Sequence, residues 1–82
     1  MQDQTSNLKL NLFRALETKY LAEAQEAFAT LEIYFSNPAG IGEHPQIVEE
    51  MDKQVTKLND AEDKIKALRD HFNSYSKPWT KR

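Results

Sequence analysis

The sequence predicts an all-α fold, an antiparallel two-helix hairpin of coiled-coil type that completes a helical bundle by self-association. Three features point there. Residues 8–35 contain no proline or glycine and repeat apolar side chains at helical spacing. Residues 46–75 do the same in rows seven residues apart. Between them stands Ser36-Asn37-Pro38-Ala39-Gly40-Ile41-Gly42-Glu43-His44-Pro45, through which neither helix can continue.

Residues 1–6 are polar and aperiodic, and are expected as a disordered tail, with Ser6 or Asn7 capping the first helix. Helix one is expected over 7–36. Its stripe, Phe13, Leu16, Tyr20, Ala24, Ala27, Leu31 and Tyr34, steps by threes and fours, and Leu12, Phe28 and Phe35 widen it. Asn37 precedes Pro38 and is pushed out of the helical region, so 37–44 is read as a loop. Gly40 and Gly42 supply turn conformations, with Gly40 the stronger candidate for positive φ, and Ile41 is expected to plug the closed end.

Pro45 suits the first position of helix two, expected over 45–75 with His44 as its cap. Met51, Leu58, Ile65 and Phe72 form one row, Ala61, Leu68 and Tyr75 a second, and Val48 with Val55 a third. Glu49–Lys53, Asp60–Lys64 and Glu62–Lys66 are i,i+4 pairs in the favourable acid-first order. Residues 76–82 are a basic tail. Each helix runs about 42–45 Å at 1.5 Å per residue, and a connection this short makes them antiparallel neighbours.

Composition narrows the functional classes. The 82-residue chain has a net charge of −2 and no cysteine, which excludes disulfides and thiolate metal sites. Residues 1–75 carry eight basic and thirteen acidic side chains, whereas the tail carries Lys77, Lys81 and Arg82 with no acid. An acidic body is a poor phosphate-binding surface, so a nucleic-acid role rests on the tail alone, with Trp79 for base stacking. The same Trp79 suits docking on the bundle or on a partner. No apolar run resembles a signal peptide or a membrane span, and a cytoplasmic protein is expected.

No catalytic, cofactor or metal site is expected. His44 and His71 are the only histidines, and the serines, Ser6, Ser36, Ser74 and Ser76, fall at helix ends, where they cap. His44 near Glu43, Glu49 and Glu50 lacks the three or four fixed ligands of a zinc site. The loop glycines do not have the spacing of a phosphate-binding motif.

Stripe width carries the functional expectation. One seam uses two rows, and both helices offer more. If on the order of 800 Å² of apolar surface stayed in water, about 20 kcal/mol of transfer energy would be forgone. That exceeds the stability of a typical small domain. Tyr20, Ala27, Leu31 and Tyr34, with Met51, Leu58, Ile65 and Phe72, are therefore expected to extend into a contact beyond the hairpin. The row Ala61, Leu68 and Tyr75 is placed at an intermolecular surface, in a homo-oligomer (a dimer first) or with a host protein. The alternative is a monomer whose tails cover the open face through Trp79 and Leu8 or Leu10.

The stretch from Glu32 to Phe72, and above all Tyr34-Phe35-Ser36-Asn37-Pro38-Ala39-Gly40-Ile41-Gly42-Glu43-His44-Pro45, resembles small uncharacterised proteins of T4-like bacteriophages, including those of marine hosts. The resemblance covers about half the chain. It implies a viral product made in a bacterial cytoplasm, either a host-directed accessory factor or a minor assembly component. It brings no catalytic residues.

Overall fold

The computed structural model describes residues 4–37 and 46–76. The protein is an all-α hairpin: α1 (Gln4–Ser36, 33 residues) and α2 (Ile47–Ser76, 30 residues) pack against each other. Their extents are 61 × 21 × 16 Å. Pro38, Gly40, Ile41, Gly42 and Pro45 of the loop, the cap His44, and Lys77, Trp79, Lys81 and Arg82 of the tail lie outside the described residues, as does the side chain of Tyr75.

The helix ends depart from the sequence expectation. α1 already includes Gln4, so Ser6 and Asn7 are in its first turns rather than at its cap. Leu8, Leu12 and Leu16 extend the apolar spacing back to this end, and no proline or glycine opposes the helix there. α1 closes at Ser36, whose hydroxyl donates to the Glu32 carbonyl at 2.7 Å, while the Asn37 N–H donates to the Ile33 carbonyl at 2.9 Å. The Asn37 bond is the last of the helix ladder, and the Ser36 hydroxyl bonds back onto the preceding turn. α2 begins at Ile47, two residues later than expected. The Glu50 N–H donates to the Gln46 carbonyl at 3.0 Å, which gives Gln46 the capping role. Glu49 and Glu50 occupy the first turn, where the helix dipole favours negative charge.

The core is one seam. On α1 the inward residues are Leu10, Phe13, Glu17, Tyr20, Ala24, Ala27, Leu31 and Tyr34, stepping alternately by three and four. On α2 they are Ile47, Met51, Gln54, Leu58, Ala61, Ile65 and Leu68, stepping by four and three. Ala27 and Ala61 have 0% and 1% of their surface exposed, and Phe13, Leu31 and Ile65 are also buried. This is the period of a coiled coil, in which a strict 3.5-residue repeat holds one narrow line of each helix against the other. The alanines let the backbones approach closely at mid-length.

Register comes from side chains that cross the seam. Lys57 Nζ donates to Glu26 Oε1 at 2.6 Å, and Arg69 Nε donates to Glu17 Oε2 at 2.8 Å. Lys64 Nζ lies 5.6 Å from the centre of the Tyr20 ring, within cation–π range. These three contacts set Tyr20 near the level of Ile65, Ala24 near Ala61, and Tyr34 near Met51. At Phe72 the backbone leaves helical values (φ −133°, ψ 24°), and that side chain, which extends the Met51-Leu58-Ile65 row, is exposed with the His71 ring edge-on at 6.2 Å.

The seam contains one polar flaw. The Gln54 side-chain oxygen is buried and accepts no hydrogen bond. An unsatisfied buried amide costs roughly 1–3 kcal/mol. Gln54→Leu is therefore expected to raise stability by about 1 kcal/mol, seen as a higher urea midpoint at unchanged slope. A lower midpoint would show that this oxygen is satisfied in solution.

Candidate interaction surface

Assigning the seam shows which apolar rows remain. Ala27, Leu31, Ala61 and Ile65 are buried within the hairpin, and Tyr20, Tyr34, Met51, Leu58 and Leu68 are half-buried there. The row containing Ala61 and Leu68, placed at an intermolecular surface by the sequence reading, is instead half of the hairpin's own α2 seam. The reason is geometric. Two adjacent rows make the seam line, and Ala61 is small enough to sit at its closest approach. A charge at Leu68 would thus attack the hairpin itself. Leu16, counted in the α1 stripe, lies outside the seam and is exposed, and Glu17 takes the seam position with its carboxylate held by Arg69.

The exposed rows include Val48 and Val55 on α2, and Leu21, Phe28 and Phe35 on α1, while Leu8, Leu12, Leu16 and Ile33 of α1 and Phe72 of α2 are exposed elsewhere. Phe28 is 53% and Phe35 72% exposed, values far above those of core aromatics. By helical position they flank the seam on the side away from Lys57, Lys64 and Glu26. Next to them, farther round α1, come Ala15, Thr18, Ala22, Gln25 and Ala29, all exposed. The strip of α1 through these two groups therefore carries no charge between Arg14 and Glu32, about 27 Å of helix, and the exposed side chains of Lys19 and Glu26 border it on the far side. A shallow open depression lined by Ala29, Glu32, Ile33, Phe35 and Ser36 marks its loop-proximal end.

The outward side of α2 is the opposite. Glu49, Asp52, Lys53, Asp60, Glu62, Asp63, Lys66 and Asp70 are all exposed. The acid-first pairs expected there are replaced: Lys53 reaches Glu50 at 3.3 Å, Lys66 reaches Asp70 at 2.7 Å, and Lys64 turns to Tyr20 on α1. On solvated side chains such alternatives differ by only tenths of a kcal/mol, so a cross-helix contact decides between them. Among the described residues, Arg14 and Glu32 are charged side chains of α1 that make no ion pair, while Glu17, Lys19, Glu23 and Glu26 each make one.

The described residues bring together no group of three His, Cys, Asp or Glu side chains that could hold a metal. No described helix is long and apolar enough to cross a membrane. No family model matches the chain, and neither a curated protein nor a solved structure matches it.

Two exposed ion pairs set the pH response of this surface. The hydrogen bond from Lys19 lowers the Glu23 carboxyl below the usual range, and the same bond raises the Lys19 ammonium. Lys66 does the same to Asp70 and is raised in turn. A carboxyl lowered in the fold adds stability above its unfolded pKa, and loses it as pH falls through its folded value. A raised ammonium adds stability below its unfolded pKa and loses it as pH rises through the folded one. The double variant Glu23→Gln/Asp70→Asn should therefore melt slightly below the native chain near neutrality, with the difference closing on acidification. Thermal melts followed by circular dichroism check this. A gap that persists well below the carboxylate range would assign the loss to packing.

Proposed function

We propose that this protein is a non-enzymatic interaction module whose working surface is the uncharged strip of α1 beside the seam, with Leu21, Phe28 and Phe35 as its apolar anchors. The observation that carries the reading is an asymmetry between the helices: α2 shows water a dense field of charges, while α1, beside its exposed Lys19 and Glu26, shows it an uncharged strip of alanines, Leu21 and Phe28. A helix needing no partner gains nothing from an unbroken uncharged strip, and exposed apolar patches of this kind mark contact surfaces. The partner is a helix or helical pair, in a homo-oligomer or on another protein, because a straight apolar line spaced by sevens fits another helix. The resemblance of Glu32–Phe72 to small phage proteins supports a role as a host-directed accessory or minor assembly factor.

Substitution on the anchor row separates this surface from the fold. Phe28→Glu leaves the seam intact, so helicity should be kept while apolar-dye binding falls and co-purifying protein is lost from the bacterial host. Asp60→Asn, on the charged side of α2, should change neither. The reading fails if the same proteins accompany both variants.

A further inference from the structure

We infer that the occupant of this surface is a second copy of the chain, packed α1 against α1 in antiparallel fashion about a twofold axis near the level of Glu23. The inference rests on the interaction-surface reading above and adds the partner and its orientation.

Charge decides the orientation. The uncharged stretch of α1 is bounded by Arg14 at one end and Glu32 at the other, and neither makes an ion pair within the described residues of the hairpin. A copy laid parallel would set arginine on arginine and glutamate on glutamate. A copy laid antiparallel sets each Arg14 on the partner's Glu32, and the twofold axis makes the pair twice. Opposite ends of the face also match in polarity. Phe35, beyond Glu32, comes level with the turn of the partner that presents Leu8, and both are exposed in the single hairpin. Between the ends, Ala15, Ala22 and Ala29 recur every seventh residue and permit close approach of the two backbones.

Size sets the expected strength. The contact from Leu8 to Phe35 is about 40 Å long and one helix, about 10–12 Å, wide. It projects to roughly 450 Å² per copy, about 900 Å² in all, below the standard specific interface and in the range of weak, transient contacts. A dimer held by so small a contact is expected to be weak, dissociating at micromolar concentrations or above.

The chain contains no cysteine, so single thiols report geometry without interference. With the axis near Glu23, Ala22 lies close to the partner's Ala22, and Ala15 lies close to the partner's Ala29. Ala22→Cys should be joined to itself by a short thiol cross-linker. Ala15→Cys and Ala29→Cys should each give no covalent dimer alone, since their own copies stand roughly 20 Å apart, but should cross-link when mixed. Arg14→Glu should weaken the dimer by roughly three- to tenfold, and Arg14→Glu/Glu32→Arg should restore it. Self-linking of Ala15→Cys and Ala29→Cys would overturn the antiparallel arrangement. Absence of any cross-linked product, with Phe28-dependent dye binding intact, would overturn the second copy while leaving the interaction surface standing. Loss of the dye binding as well would remove both.

Discussion

A pair of helices has one seam, and the narrowness of that seam governs everything else in this molecule. Ala27 and Ala61 have essentially no exposed surface, so the helices meet at their closest separation near mid-length. A close approach between two cylinders touches only a thin line on each. Residues one position off that line, such as Leu21, Phe28, Val48 and Val55, remain wet whatever their hydrophobicity. Larger seam residues would part the helices and draw these flanks inward. The small core and the apolar surface are thus two results of one packing choice.

Charge is distributed to suit that division. Lys57–Glu26 and Arg69–Glu17 span the two helices and hold their register, while Lys19–Glu23 and Lys66–Asp70 lie along a single helix. Each is exposed enough that its net contribution is small, so their value lies more in selecting one alignment than in stabilising it. Gln54 fits the same picture. A buried amide without a partner lowers stability, and polar groups in coiled-coil seams penalise slipped registers more than they penalise the correct one.

The two-helix architecture was legible because periodicity is a local property. The prolines and glycines of the loop, the seven-residue rows of α2 and the matched helix lengths needed no tertiary knowledge. The assignment of rows to seam or surface did need it. Three adjacent rows on α2 are equivalent in hydropathy, and only the rotation of α2 about its axis decides that Ala61 and Leu68 turn inward while Val48 and Val55 do not. One signal of the seam is present in the sequence itself. Glu17 and Gln54 stand at seam spacing despite being polar, and Leu16 is displaced by Glu17 because the strict three-four alternation continues through it. Charge was a second such signal: the strip of α1 through Ala15, Ala22 and Ala29 and through Leu21 and Phe28 is free of charge, visible once the seam is known.

Sedimentation equilibrium of the native chain over a range of concentrations tests the central claim most directly, namely that the uncharged strip of α1 is a contact surface for another copy. The account predicts a mass that rises with concentration from that of one 9.5 kDa chain toward twice that value, with Phe28→Glu held at one chain and still helical. A native chain that stays monomeric throughout the micromolar range and into the millimolar would contradict it.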